Sequence, residues 1–480
     1  MRILFAAAEA TPFAKTGGLG DVVGALPYAL RKIGIDARVI LPLYGAIPQA
    51  YRDRMTDLGA VTVKSSRTKR RCGLKMLCFR DVPVYFIENA YYFNRKRIYA
   101  YPDDAERFAF FCRAALESLP SLDFKPEILH LHDWHTALIS VYLRSQYGSS
   151  GFCQGVKTVL TIHNLACQGA FSRRGTPDVL GLEEYCRGSY ALPDFNAVNY
   201  LKGGLLCSDA LTTVSPSYLA EITASSGDNP LGYVLGMKKD RFYSIINGID
   251  DESYNPATDP ALAEKFHSVS GKRRNKSALQ RELGLEVNAE TCLLAMVCRL
   301  TEQKGLDLLL QALPELLKRD IQLALLGTGE KHYEKALRRA AALLPGRVAV
   351  RLAFDEALAR RIYAGADIFL MPSLTEPCGL AQLIALRYGA IPLVHTTGGL
   401  KDTVSGYNAK TKAGCGFCFT AYSVPAFSAA LEEALALYGK PQEWNTLVKK
   451  AARMDHSWRR PAKEYAALYT NLLQERKTRH

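Results

Sequence analysis

The sequence predicts an α/β protein of two parallel-sheet halves, and three observations predict it. Short apolar runs alternate with amphipathic helical segments along almost the whole of the 480 residues, the pattern of strands joined by crossover helices. A polar segment, Asn255 to Gly284, breaks that alternation into two series. One pattern, TGGLxDxV, also occurs near each end of the chain, at Thr16 to Val23 and at Thr397 to Val404. Two related halves facing each other across a cleft would bring both glycine loops to one ligand.

In chain order, the first series predicts strands at Ile3 to Ala7, Ala37 to Leu41, Val84 to Ile87, Ile128 to Leu131, Val156 to Ile162 and Leu211 to Val214. Helical spacing falls between several of them, as at Asp104 to Leu119 and Ala137 to Tyr147. The second series predicts strands at Cys292 to Val297, Gln322 to Leu326, Val348 to Leu352, Ile368 to Met371 and Ile391 to Val394. Its helices are expected at Leu306 to Lys318, Lys331 to Leu344 and Leu358 to Ala364. The boundary is expected near residue 245, before the turn Asn247-Gly248-Ile249-Asp250. This gives domains 1–245 and 246–457, with a final helix over 458–480 rejoining the first. A chain of this length can bury two separate cores.

Composition narrows the function classes. Apolar residues make up 48% and charged residues 22% of the chain, ordinary globular values. No apolar run approaches the ~20 residues of a membrane span. The start, MRILFAAAEATPF, is broken by Glu9 and reads as a buried strand rather than an export signal. The twelve Cys are then expected to be reduced, and the location cytoplasmic. A net charge of +14, with basic runs at Arg67 to Arg71, Arg95 to Arg97 and Lys272 to Lys276, suits anionic small substrates, nucleic acid or a charged surface. The bases are not interleaved with aromatics and no nucleic-acid module appears, which argues against nucleic acid.

The chemistry-bearing stretches sit where strands end. Asp367 to Val404 reads strand, loop, helix, strand, loop: Glu376 at the mouth of a helix beginning near Gly379, then Gly398-Gly399 after the next strand. Helix starts favour anions, so this stretch reads as a grip for a nucleotide-linked sugar; the plain alternative is a βαβ unit with a surface Glu. Lys15 to Asp21 joins a cation to adjacent glycines that let amides approach a phosphate. Its spacing is not that of a dinucleotide fingerprint, and no acid closes the second strand, which argues against a dehydrogenase. Arg299 to Gly305 sets Arg299 and Lys304 five apart on a strand-to-helix loop, suited to a departing diphosphate. Gly327 and Gly329 mark another such turn, and His163-Asn164 close a strand. The run His130-Leu131-His132-Asp133-Trp134-His135 tempts a metal reading, but no acidic cluster or zinc spacing completes it, so no metal is expected. Cys415 and Cys418 form a lone CxxC and read as a structural pair.

With these residues assembled, the chain resembles the bacterial glycogen synthases and plant starch synthases. The resemblance covers nearly the whole chain and rests on Ala7 to Pro27, Leu131 to Leu138, Thr161 to Gly169, Asp209 to Ile222, Asn247 to Asp250, Arg299 to Gly305, Glu376 to Leu380 and Thr397 to Val404. It implies two Rossmann-like domains across a deep cleft, the GT-B arrangement. It implies transfer of glucose from ADP-glucose to the non-reducing end of an α-1,4-glucan (glycogen or maltodextrin), with retention of configuration, release of ADP and no cofactor. Carried over by motif, Lys15, Gly17, Gly18, Arg299, Lys304, Gly327, Gly329, Cys378, Gly379, Leu380, Thr397, Gly398 and Gly399 should line the nucleotide-sugar site. Phe354 takes the place of a Tyr that stacks on the base. His163 should lie beside the transferring glucose and Glu376 on its hydroxyls, the two joining Arg299 and Lys304 as catalytic groups. Asp21, Asp133, Asn164 and Asn247 are candidates on the acceptor side.

Several positions depart from the family pattern. Ser373-Leu374-Thr375-Glu376-Pro377 lacks the usual Arg and aromatic, Ile384 stands where many retaining enzymes have a second Glu, and Asp228 to Tyr233 replaces a glycine-leucine turn. A transferase using UDP-glucose and a catalytically silent glucan-binding protein are the alternatives. Intact Lys15, Arg299, Lys304 and Glu376 argue against the silent one.

Overall fold

The computed structural model describes residues 1–64, 69–149, 151–172, 176, 180–182, 193–194, 197–224 and 231–477. Arg67 and Thr68 of the first basic run, residues 228–230 of the replaced turn and 478–480 of the last helix lie outside them. The chain divides into two compact units: residues 1–214, 219–247 and 458–480, and residues 215–218 and 248–457. The crossing into the second unit falls after Asn247, two residues past the expected boundary, and the last helix clusters with the first unit.

The first unit is built on strands β1 (Arg2–Ala6), β2 (Asp36–Pro42), β3 (Thr56–Lys64), β4 (Lys69–Phe79), β5 (Val82–Glu88), β6 (Ile128–His132) and β7 (Lys157–Ile162). After a small antiparallel sheet of β8 (Ala170–Ser172), β9 (Pro193–Asp194) and β10 (Ala197–Asn199), β11 (Ala210–Thr213) and β12 (Phe242–Ser244) complete the main sheet. Its order is β12-β11-β7-β6-β1-β2-β5-β4-β3. All pairs from β12 to β5 are parallel, while β4 and β3 add an antiparallel ribbon. That ribbon is absent from the sequence reading for a physical reason. β3 (TDLGAVTVK) is largely exposed, and its one alternating stretch, Val61 to Lys64, is short and follows Gly59 and a register shift between Asp57 and Ala60, so its period is weak. Lys69 to Arg71 of the basic run lie at the start of β4, paired with Thr62 to Lys64 of the edge strand β3.

The second unit carries β13 (Cys292–Val297), β14 (Ile321–Leu326), β15 (Val348–Arg351), β16 (Ile368–Met371), β17 (Ile391–His395) and β18 (Phe417–Phe419). They form one parallel sheet in the order β15-β14-β13-β16-β17-β18. Its central strands are buried on both faces, from Leu293 and Ala295 to Leu370 and Leu393, as expected when helices cover both sides. Helix Leu306–Leu316 places Leu306, Leu309, Leu313 and Leu316 on that core at helical spacing.

Two helices of the first unit bear on its strand ends. Gly18–Lys32 buries Leu19, Val22, Val23, Leu26 and Leu30 along one face, with Asp21 in its first turn and Arg31 and Lys32 in its last, the charge order its dipole favours. Arg459–Lys477 buries Ala462, Tyr465, Leu468, Tyr469 and Leu472. It is tied to the sheet of the first unit by the Tyr469 hydroxyl, 2.7 Å from His130 Nδ1.

Among the parallel strands of each sheet the chain reverses direction of growth at one place. In the first unit this lies between β1 and β6, in the second between β13 and β16. Ligands of open α/β sheets collect at the carboxyl ends of the strands at such a switch point.

Candidate active site

In the second unit the loops after β13 and β16 meet. Lys304 Nζ stands 2.6 Å from Glu376 Oε2, and both side chains are largely buried. Ser373 Oγ donates to the same oxygen at 3.1 Å. Glu376 is thus a buried carboxylate held by one cation and one hydroxyl. Arg299, at the end of β13, is exposed, and its guanidinium makes no hydrogen bond or ion pair among the described residues. The structure therefore separates two cations that spacing treated alike: Lys304 serves Glu376, and Arg299 stands toward solvent.

The loops are placed by glycines at points of close backbone approach. A Cβ on Gly305 (φ +73) would lie 1.8 Å from the Pro372 carbonyl oxygen. One on Gly327 would lie 1.9 Å from Cys298 O, and one on Gly329 2.3 Å from Leu300 O. These glycines let the Arg299–Gly305 loop lie flat between its two neighbouring turns. The Leu300 amide donates to Thr328 O (2.9 Å), the Glu330 amide to Leu300 O (2.8 Å), and Leu374 N–H to Gln303 O (2.9 Å). Gln303 Nε2 also donates to Thr375 O at 3.1 Å, so Gln303 pins the segment before Glu376.

Gly398 and Gly399 require a correction. The sequence reading brings this glycine loop to the ligand, but the Gly399 N–H is engaged within the chain, donating to Glu376 O at 3.0 Å. A Cβ on Gly398 (φ +43) would meet Glu376 O at 2.1 Å, and one on Gly399 would meet Cys378 O at 2.3 Å. The pair is a seat for the Glu376-Pro377-Cys378 backbone. The helix expected near Gly379 begins at Ala381 and runs only to Arg387; Gly379 (φ +72) and Leu380 form the turn before it. Gln382, fully buried, donates to Cys378 O, Gly379 O and Thr403 Oγ1 and locks that turn against helix Gly398–Thr403. Thr397 is the extended, buried residue that starts this helix. Phe354 is 67% exposed between β15 and a helix capped by Asp355, so its ring is open to a planar partner.

In the first unit the loops after β1, β6 and β7 carry the candidates. Lys15 Nζ pairs with Asp21 Oδ1 at 2.7 Å, so Asp21 holds Lys15. Gly17 precedes helix Gly18–Lys32, and its amide donates to Glu9 Oε2 at 3.2 Å rather than outward to a ligand. Asp133 is buried, adopts φ 56 and ψ −173, and accepts the His163 amide at 2.7 Å. That backbone region is strained for any residue but glycine. Burial pushes the Asp133 carboxyl up to about 7, against the His163 and Asn164 amides, which act to lower it. His163 is half-buried, its Nε2 2.9 Å from His132 Nδ1, and burial lowers it to about 3, so it is a neutral imidazole. The Asn164 side chain closes a local turn onto Ala166 N–H at 3.0 Å. Asn247 is buried, and its Oδ1 has no hydrogen-bond partner among the described residues.

The histidine run is divided among separate tasks. His130 bridges Tyr469 and Thr161, His132 meets His163, and the His135 ring packs on Trp134, Tyr99 and Phe108. No group of three or more His, Cys, Asp or Glu side chains among the described residues is arranged to hold a metal ion. Cys415 and Cys418 both lie against the Thr403–Ser405 backbone as free thiols, and burial pushes Cys418 up to about 11.

Sequence reasoning missed Glu9, Tyr99, Ser373 and Gln303. Only Glu9 left a signal: a carboxylate directly after a buried strand and before a glycine loop.

Comparison with known proteins places this geometry. Residues 2–236 match the family described as the starch synthase catalytic domain, and residues 284–451 match glycosyl transferases group 1. A glycogen synthase of Alkaliphilus metalliredigens is 47% identical, over 98% of this chain and 100% of the relative. One from Geobacillus thermodenitrificans is 46% identical, over 99% and 98%. The catalytic domain of starch synthase IV from Arabidopsis thaliana, solved with ADP and acarbose bound, superposes with a TM-score of 0.93 at 34% identity, covering 98% of this chain and 99% of that one. A sucrose-phosphate synthase from Thermosynechococcus elongatus, at 16% identity and TM-score 0.63, shares the fold alone.

Proposed function

The chain belongs to the glycogen and starch synthase family of glycosyltransferases, and from that premise we propose its reaction: glucose passes from ADP-glucose to the non-reducing end of an α-1,4-glucan, with retention of configuration and release of ADP. The observation that carries this reading is the buried Glu376 held by Lys304 and Ser373, beside the exposed Arg299, at the switch point of the second sheet.

A sugar with many hydroxyls needs an acceptor that does not attack it. Glu376 suits that task, because one of its oxygens is already engaged by a cation and a hydroxyl and the carboxylate is fixed in place. Retention by double displacement would need a second carboxylate at the anomeric carbon, and Ile384 stands where one is often found. The reading therefore favours same-face transfer, in which the leaving phosphate helps take the acceptor's proton. Arg299 is free to fork onto the diphosphate, and Lys304 adds a point charge nearby. Donors of this kind, aimed at developing charge, typically contribute about 3–4 kcal/mol each to the barrier. Neutral His163 can donate or accept one hydrogen bond at the sugar without adding charge. Phe354 offers its face to the base.

The cations supply the charge stabilisation that a metal provides in other transferases, so the reaction is expected to need no cofactor and to survive chelation. The eleven described cysteines are free thiols, in keeping with a reducing cytoplasm. Among the described residues no helix is long and apolar enough to cross a membrane.

The test is incorporation of label from ADP-glucose or UDP-glucose into glycogen, with and without a chelator. Label from ADP-glucose that persists with the chelator is the expected result. Label from UDP-glucose alone would move the donor assignment, and none from either would return the silent glucan-binding reading. Glu376→Ala is expected to lower turnover by about a hundredfold or more while ADP binding, measured by calorimetry, stays near that of the parent. Retained turnover would remove Glu376 from the site.

A further inference from the structure

His132 ends β6, and His163 directly follows β7, the neighbouring parallel strand, with His132 opposite Thr161 in the register. Side chains two apart on a strand share a face, so His130 and His132 line up beside Thr161 and His163. They meet in pairs. His130 Nε2 lies 2.6 Å from Thr161 Oγ1, and His132 Nδ1 lies 2.9 Å from His163 Nε2. His130 is engaged at both nitrogens, since its Nδ1 meets the Tyr469 hydroxyl at 2.7 Å. His132 is not. It is fully buried, packed against the rings of His130 (4.4 Å) and Phe5 (5.6 Å). Its Nε2 has no hydrogen-bond partner among the described residues.

That sealed nitrogen decides where the protons of the pair sit. A neutral imidazole has one N–H and one lone pair, and one proton must lie between His132 and His163. Burial lowers the pKa of both rings, His163 to about 3, so neither carries a second proton. If His163 Nε2–H were the donor, the proton of His132 would sit on Nε2, an N–H cut off from water with no acceptor. If His132 Nδ1–H is the donor, Nε2 keeps only a lone pair. Sealed N–H groups without an acceptor are the rarer case in folded proteins, which selects the second arrangement. His163 then accepts at Nε2 and carries its own proton on Nδ1. That nitrogen has no hydrogen-bond partner among the described residues and, unlike His132 Nε2, is not sealed. It opens at the carboxyl end of β7, the end at which ligands of such sheets collect.

We propose that His132 is a positioning residue: it donates from Nδ1 to His163 Nε2 and so fixes His163 as a hydrogen-bond donor, its Nδ1–H presented to a hydroxyl or phosphate oxygen of the ligand. Left to exchange tautomers, His163 would offer a lone pair there part of the time. Backbone bonds keep the two rings in register: the His132 N–H donates to Thr136 Oγ1 and the His163 N–H to Asp133 Oδ1, both at 2.7 Å. The role in transfer rests on reading the chain as a glucosyltransferase with His163 beside the sugar. The tautomer depends on the first unit alone.

His132→Asn and His132→Leu separate the hydrogen bond from packing. Asn and Leu have nearly the same branched shape and leave the same part of the ring space empty, but only Asn can donate, from a nitrogen close to the place of His132 Nδ1. Nitrogen-15 spectra of histidine-labelled protein read which ring nitrogen carries the proton; the chain has nine histidines, and H163Q identifies the His163 signals by their loss. The parent and H132N are expected to show His163 protonated on Nδ1. In H132L the proton is expected to move to Nε2 in a large share of the molecules. With ADP-glucose as donor, kcat/KM of H132L is expected to fall about tenfold or more, while H132N stays within about threefold of the parent. A proton on His163 Nε2 in the parent, a tautomer that H132L leaves unchanged, or H132N as slow as H132L would overturn the proposal. Should H132L fail to fold, the parent spectrum alone decides. If the parent transferred no glucose, the transferase reading would fail, while the spectra of the parent and H132L would still show whether His132 sets the tautomer.

Discussion

At the scale of single residues, burial decides which groups carry charge. His135 lies among aromatic rings, and its Nδ1 has no hydrogen-bond partner among the described residues. Burial, with smaller contributions from Arg107 and His163, lowers its pKa from 6.5 to about 3. In the unfolded chain His135 takes up a proton near pH 6.5, whereas the folded chain refuses it until about pH 3. Between those values the unfolded state binds more protons, so stability falls as pH falls, by about 1.4 kcal/mol per unit for one such group. Burial depresses His130, His132 and His163 in the same sense. Asp133 works in the opposite sense: its pKa is raised from 3.8 to about 7, so its contribution improves as pH falls through that window. The histidines outnumber it, and the protein is expected to lose stability on acidification below about pH 6.5. His135→Phe fills the same aromatic space without a titrating ring. Denaturant melts at pH 4 and pH 7 should show the pH slope of the variant reduced by about one proton; an unchanged slope would mean His135 is hydrated when folded.

At the scale of elements, the loops that carry chemistry are held by close backbone contact together with the Gln303 and Gln382 side chains. Gly305 and Gly284 make a direct comparison, since both have φ near +70 (+73 and +74). Around Gly284 a Cβ would meet nothing within 4 Å, whereas at Gly305 it would lie 1.8 Å from Pro372 O. Gly284→Ala is therefore expected to cost about 1–2 kcal/mol, the left-handed conformation alone, with normal turnover. Gly305→Ala must also push the Lys304 loop off Pro372, and turnover is expected to fall by about a hundredfold. Equal effects of the two substitutions on turnover would show that the close approach is not needed.

The same elements show what sequence could and could not convey. The parallel strands were legible because each is a short apolar run with helical spacing after it; β13 and β16 begin and end at the expected residues. The β3–β4 ribbon was not, because β3 is largely exposed with only a short alternation at Val61 to Lys64, and β4 opens on the charged residues Lys69 to Arg71. Helix Trp134–Tyr142 begins three residues before the expected start at Ala137, since the strained Asp133 turns the chain straight out of β6 into it. The glycine loops were found, but the backbone contacts they permit were not. A glycine that lets a ligand approach and one that lets Pro372 O or Glu376 O approach look the same in a sequence.

At the scale of the whole molecule, the net charge of +14 forms a field that draws in an anionic donor. Salt screens that field over about 8–10 Å at ordinary ionic strength. KM for ADP-glucose is therefore expected to rise several-fold, by about three to ten times, between low and moderate salt, while kcat changes little because Lys304 and Glu376 are paired at short range. An equal fall in kcat, with KM constant, would show that distant charge has no part in capture.

The sequence by itself determined the two series of strands and helices, the family, and which residues stand at strand ends, because period and motif order are properties of neighbours along the chain. Only the tertiary structure decided that Lys304 serves Glu376 while Arg299 stays exposed, that Gly398 and Gly399 seat a backbone, and that Glu9 holds the Thr16 and Gly17 amides ahead of helix Gly18–Lys32. Each of those facts depends on a distance between residues remote in sequence, and such distances exist only once the strands have taken their order in the sheets.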